Sequence, residues 1–275
     1  MRLRSIRRRM AVLLAVGALS VAVPSAAVAQ TTNAVESTTS NNWAGYVDTG
    51  TTFSSVSGTW VVPTAKSDSE GYSATWVGLG GADSSSSALE QAGTESDYVN
   101  GKATYSAWYE LVPKAPVTLK LSVHPGDRVS ATVSVSGTRV TVTMSDLTTG
   151  KTVTKVLHMS DPDTSSAEWI AEAPLAETGD GAFQVLLLAD FGKVSFTGAS
   201  ATATGHSGSI TDPAWTAEKV DMASMTGGYG GYGFHGRGDA ALATGAATTS
   251  SLSRSGSRFS VTWSDSGAYP GPSYG

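Results

Sequence analysis

The sequence predicts an all-β protein, an antiparallel sandwich or barrel, on two observations. Apolar and polar residues alternate with a period of two through most of the chain, as in Arg128-Val129-Ser130-Ala131-Thr132-Val133-Ser134-Val135. Turn residues interrupt these runs at short intervals: Pro63, Gly71, Gly101, Pro113, Pro125-Gly126, Gly150 and Pro174. Successive side chains of a strand point to opposite faces, so alternation marks a half-buried strand, and many short strands between turns mark a sandwich or barrel.

The elements follow in order. A first strand over 43–47 closes in the turn Asp48-Thr49-Gly50, and a second over 56–62 stops at Pro63, which cannot donate to a ladder. Strands over 73–79, 104–112 and 117–123 lie between the next turn residues. The runs 128–135 and 139–144 flank Ser136-Gly137-Thr138 and predict a hairpin. Strands over 152–157, 167–172, 193–197 and 259–263 complete the set, while 183–189 fits a buried strand or a short helix equally well. One domain spanning 41–264 is expected, with a flexible or short pro-segment over 30–40 and a flexible tail over 265–275, both too poor in apolar residues to fold alone.

Residues 1–29 carry a basic start with Arg7, Arg8 and Arg9, an apolar stretch from Met10 to Val23, and small residues at Ala27 and Ala29. That is the pattern of a secretory signal peptide, and a secreted, extracellular protein with no membrane anchor after cleavage is expected. The leader holds 5 of the 18 basic residues and none of the 23 acidic ones, which leaves 13 against 23. So acidic a chain lacks the basic face that releases phosphate counterions, and no nucleic-acid partner is expected. The absence of cysteine removes thiol nucleophiles, thiolate metal sites and disulfides. His124, His158, His206 and His235 show no metal-ligand spacing, and neither metal nor other cofactor is expected.

Serine-hydrolase frames are missing; Gly205-His206-Ser207-Gly208 is a partial echo. Asp48-Thr49-Gly50 has no second copy to form an aspartic dyad. Glu168 and Glu172 on one strand lie ~13 Å apart at ~3.3 Å per residue, too far for a glycosidase pair, although Glu168 with Glu110 from another strand stays open. Parity puts Glu168 and Ile170 on one face with Trp169 opposite, and Trp108 and Glu110 on one face with Tyr105, Tyr109 and Leu111 opposite. A face bearing carboxylates with Trp76 and Trp108 is a solvated sheet surface or a groove wall, and exposed indoles favour a groove. The run Gly227-Gly228-Tyr229-Gly230-Gly231-Tyr232-Gly233 reads as a mobile loop that could cover such a groove.

Six segments in order resemble the glutamic peptidases (eqolisins): Asn42-Trp43-Ala44-Gly45-Tyr46, Val56-Ser57-Gly58-Thr59-Trp60-Val61-Val62-Pro63, Thr75-Trp76-Val77-Gly78-Leu79-Gly80-Gly81, Leu89-Glu90-Gln91-Ala92-Gly93, Ala107-Trp108-Tyr109-Glu110 and Ala167-Glu168-Trp169-Ile170. The resemblance implies a concanavalin-like antiparallel β-sandwich of two large sheets with a curved cleft face. It also implies an endopeptidase acting on polypeptide substrates in acid, taken here as a monomer. Gln91 and Glu168 match the family's catalytic pair, and Trp76, Trp108 and Glu110 match residues lining its substrate cleft. Gly80 stands where the family often has Asp, and Leu111-Val112 where it often has an aromatic pair, departures that bear on subsite preference. The chemistry expected is an ionised Glu168 that takes a proton from water while the Gln91 amide holds the oxyanion. The competing reading is a secreted lectin-like sandwich that stacks sugars on Trp76 and Trp108 without catalysis.

Overall fold

The computed structural model describes residues 35–66, 70–83, 85–178, 182–224 and 245–265. In chain order its strands are β1 (Glu36–Ser40), β2 (Trp43–Thr49), β3 (Phe53–Val61), β4 (Ala74–Leu79), β5 (Leu89–Val99), β6 (Lys102–Val112), β7 (Val117–Thr118), β8 (Arg128–Ser136), β9 (Arg139–Asp146) and β10 (Lys151–His158). There follow β11 (Ala167–Glu172), β12 (Leu175–Thr178), β13 (Ala182–Val185), β14 (Lys193–Ala203), β15 (His206–Gly208), β16 (Thr216–Met222), β17 (Ala246–Thr249) and β18 (Arg258–Ser264). The described residues contain no helix.

One ladder runs β10-β9-β8-β3-β14-β18-β17-β16-β2-β11-β4-β5-β6-β7, antiparallel throughout, and folds into two facing layers. The layers meet along one edge, where β16 and β17 share only the pair Met222–Ala247. Between them lies the main core, with Tyr46, Val77, Leu79 and Trp169 from one layer against Val56, Trp60, Val129 and Phe196 from the other. Two indoles stitch the layers through that core: Trp60 Nε1 donates to Thr94 Oγ1 at 2.9 Å and Trp169 Nε1 to the Ser57 carbonyl at 2.7 Å. A buried indole that also satisfies its N–H adds specificity to the several kcal/mol its burial contributes.

Alternation predicted most strands. The Leu89–Val99 strand was not among them, because both of its faces are polar: Gln91, Gly93 and Glu95 on one side, Glu90, Thr94 and Ser96 on the other. The run 117–123 forms a ladder only at Val117–Thr118, although Leu119, Leu121 and Val123 keep the period of two and are buried. The ambiguous run 183–189 is strand to Val185, pairs with Leu175–Thr178 as a separate hairpin, and then leaves the ladder. Glu36–Ser40, expected to be flexible, is held by parallel backbone pairing to β16 although its side chains are largely exposed. The expected signal peptide, nearly all of the expected tail, and the run 227–233 expected as a loop lie outside the described residues.

Candidate active site

Four positions form a straight register line across the outer face of the second layer. Glu168 pairs with Gly78, Gly78 with Gln91, and Gln91 with Glu110. Paired residues in a ladder share a face, so all four point to the same side. Two residues along, Ile170, Trp76, Gly93 and Trp108 make a second line, and Glu172, Ala74, Glu95 and Ser106 a third. The Glu168–Glu110 pairing left open by the sequence therefore spans three strands, ~14 Å at ~4.8 Å per strand, with Gln91 between them. The carboxylate–amide pair, in contrast, is separated by one strand whose residue has no side chain.

Gly78 has to be glycine. A Cβ there would lie 2.9 Å from Trp76 Cζ3 and 3.1 Å from the Glu90 carbonyl oxygen. The Trp76 ring thus lies against the gap between the two polar groups. Its Nε1 donates to Glu172 Oε2 at 2.6 Å, and Trp43 packs edge-on with ring centres 5.1 Å apart. Asn42 Nδ2 donates to the other Glu172 oxygen at 3.2 Å. Burial of the carboxyl among these groups pushes Glu172 up to about 7 despite the two indole donors nearby.

Above this floor is a cleft of about 1020 Å³, lined among others by Trp43, Gln91, Glu95, Trp108, Glu110 and Glu172, with Leu175, Glu177 and Phe183 contributed by the β12–β13 hairpin and the residues around it. Phe183 is 68 % exposed there, an apolar side chain held out in solvent at the cleft wall. Trp108 and Glu110 line the cleft. Trp76 is fully buried beneath it, where it supports the floor and cannot act as a stacking platform for a sugar. The sequence did not single out Trp43, Glu95 or the gap at Gly78; their roles depend on register between strands distant in sequence, which alternation within one strand does not encode.

Glu168 is fully buried, and neither of its carboxyl oxygens has a hydrogen-bond partner. Burial pushes its carboxyl well above the ordinary range, the nearby Ser166 hydroxyl opposes the shift, and the charges of Asp163, Glu90 and Asp48 add to it. Gln91 does not bond Glu168: its Nε2 donates to Glu110 Oε2 at 2.6 Å, leaving a buried Oε1 without a partner. Trp108 Nε1 is likewise buried and unpartnered. Unpaired buried polar atoms are costly, typically ~1–3 kcal/mol each, and their clustering here marks a place built to meet something polar.

The opposite face of β5 anchors the strand. Glu90 is fully buried, accepts the Asp163 backbone N–H at 3.2 Å, and is pushed up to about 8 by burial. The Asp163 carboxylate in turn accepts from Gly81 N at 3.1 Å, Ser165 N at 2.9 Å and Ser86 Oγ. It also fills the space beside residue 80, where a Cβ would sit 2.5 Å from Asp163 Cβ at a φ of +82°. Glycine at position 80 thus follows from a carboxylate arriving from another loop.

The Peptidase A4 family matches residues 41–228. Aspergillopepsin-2 of Aspergillus niger is 32% identical over 191 residues, 60% of this chain and 66% of that protein. Scytalidopepsin B of Scytalidium lignicola is 31% identical over 201 residues, 70% of this chain and 76% of that protein. Among solved structures, scytalido-glutamic peptidase with a transition-state analogue inhibitor superposes with a TM-score of 0.64 at 26% identity, covering 82% of this chain and 98% of that one. Aspergilloglutamic peptidase from Aspergillus niger gives 0.51 at 28% identity, covering 71% and 100%. The two-layer sandwich, the register line and these matches agree: the chain belongs to the Peptidase A4 family, the glutamic peptidases.

Proposed function

We propose that this protein is a secreted, acid-acting endopeptidase in which Glu168 is the general base and then the general acid, and Gln91 stabilises the oxyanion. The observation that carries this reading is the pair of unsatisfied buried groups, the Glu168 carboxyl and the Gln91 amide, flanking a position without a side chain beneath an open cleft. A water seated between them is a donor to Glu168, and a hydrogen bond to the ionised form lowers the pKa that burial raises. Glu168 takes a proton from that water as the oxygen attacks the scissile carbonyl. The high intrinsic pKa then keeps the proton on the carboxyl until the leaving nitrogen accepts it. Each role is worth an ordinary amount: about 10²–10⁴-fold for the acid–base transfer and about 10²–10³-fold for the oxyanion donor.

The cleft suits an extended polypeptide, which would lie over Trp108 with its backbone amides near Glu95, Glu110 and Glu172. Secretion rests on the leader-like N-terminus. The test is digestion of an acid-denatured protein from about pH 2 to about pH 7 by wild type, Glu168→Gln and Gln91→Ala. Loss of cleavage in Glu168→Gln with retained folding supports the assignment; undiminished cleavage places the base elsewhere.

A further inference from the structure

We propose that Glu110 is a positioning residue: its protonation state sets which end of the Gln91 amide faces Glu168, and the neutral acid is the working form. This inference rests on the Gln91–Glu168 assignment above and adds a control over it.

Gln91 and Glu110 are direct cross-strand partners. An amide carries its oxygen and nitrogen on opposite branches of one carbon, so a Nε2 bonded to Glu110 turns Oε1 away, toward Gly78 and Glu168. That Oε1 is buried and unpartnered. In this orientation the amide shows its acceptor end to the reaction centre, whereas an oxyanion needs a donor. An ionised Glu110 can only accept, and so it fixes this orientation. A protonated Glu110 carries an O–H that can donate to Gln91 Oε1, so the neutral acid alone lets the amide turn and present both Nε2 hydrogens toward Glu168.

The surroundings favour the neutral acid in acid solution. Burial raises the Glu110 pKa, the Gln91 bond opposes that shift, and the Glu95 charge adds to it. The charged groups that face Glu110 are Glu95 from β5 and Glu172 from β11, both negative when ionised. Strand β7, on its other side, brings only Val117 and Thr118. Lys114 lines the same cleft but is exposed to solvent.

The experiment compares kcat/KM across pH for wild type, Glu110→Gln and Glu110→Leu, with Glu168→Gln as a control. A glutamine at 110 offers an N–H donor to Gln91 Oε1 at every pH, so the Glu110→Gln to wild-type ratio stays flat in acid. It then climbs by about tenfold per pH unit once Glu110 ionises in the wild type. Glu110→Leu, with no donor, falls by about 10²-fold or more below wild type in acid, the range of a lost oxyanion donor, and the gap closes as Glu110 ionises in the wild type. On the wild type itself, ¹⁵N glutamine labelling follows the Gln91 side-chain amide. Its resonances step with pH at the same midpoint and are pH-independent in Glu110→Gln. A ratio flat at all pH values, or a Gln91 amide that does not respond to pH, overturns the proposal. Full activity in Glu168→Gln instead refutes the underlying site, so the two failures are told apart.

Discussion

Moving the protein from acid to neutral solution should cost it much of its stability, and the carboxyls under the cleft set the size of the loss. Glu90 and Glu172 are pushed up to about 8 and about 7, chiefly by burial, and Asp48 and Glu168 rise well above their ordinary range for the same reason. A carboxyl whose folded pKa lies above its unfolded one holds a proton that unfolding releases. Its contribution is complete below about pH 4 and is lost as pH rises through the folded value. At about 1.4 kcal/mol per pH unit, Glu172 gives up on the order of 3 kcal/mol by pH 7, and Glu90 on the order of 5 kcal/mol by pH 8. Asp97, pushed up to about 7, adds a smaller amount because it keeps more contact with water. Against a typical total of about 5–15 kcal/mol, these groups decide whether the fold persists at neutral pH. Urea unfolding followed by tryptophan fluorescence at about pH 4, 6 and 8 measures this directly, with the m-value checked for constancy. Glu90→Gln keeps an acceptor for the Asp163 N–H and removes the titration, so its midpoint should fall less with pH than that of wild type. A midpoint that is unchanged or rises between pH 4 and 8 would refute the reasoning.

Three further outcomes are expected. Asp48→Asn removes a buried carboxyl whose oxygens have no partner; it should raise the melting temperature at neutral pH and change acid stability by less than about 1 kcal/mol. Gly78→Ala forces the Trp76 ring off the gap between Glu168 and Gln91, so activity should drop at least about 100-fold for a stability loss of only about 1–3 kcal/mol, read by kinetics and urea titration together. Asp163→Ala leaves Gly81 N, Ser165 N and Ser86 Oγ without their acceptor and should cost about 2–4 kcal/mol, with faster amide hydrogen exchange at Gly81 and Ser165.

Where burial alternates with polarity, the sequence was a good guide. The hairpin Arg128–Ser136 with Arg139–Asp146 and the parity of Ala167–Glu172 follow from single-strand periodicity alone. Gln91 was identifiable only by its resemblance, because its strand is polar on both faces and hides its own period. The small residues of Lys193–Ala203, with a register shift after Thr197 near Gly198, blurred that strand in the same way. Glu168 was legible as a residue but not in its surroundings. Its position in the register line determines what surrounds the carboxyl, and that line depends on which distant strands become neighbours.

That neighbourhood has a consequence for the making of the protein. Strands β4, β5 and β6 are consecutive in sequence and adjacent in the sheet, so Gln91, Gly78 and Glu110 can assemble from local pairings. Glu168 comes from β11, which pairs between β2 and β4 and is reached in the chain only after strands β7 to β10. Such long-range pairings close late, since their loop entropy is repaid only once the rest of the sheet is in position. A nascent or partly folded chain therefore carries Gln91 and Gly78 without Glu168 beside them until β11 has paired with β2 and β4.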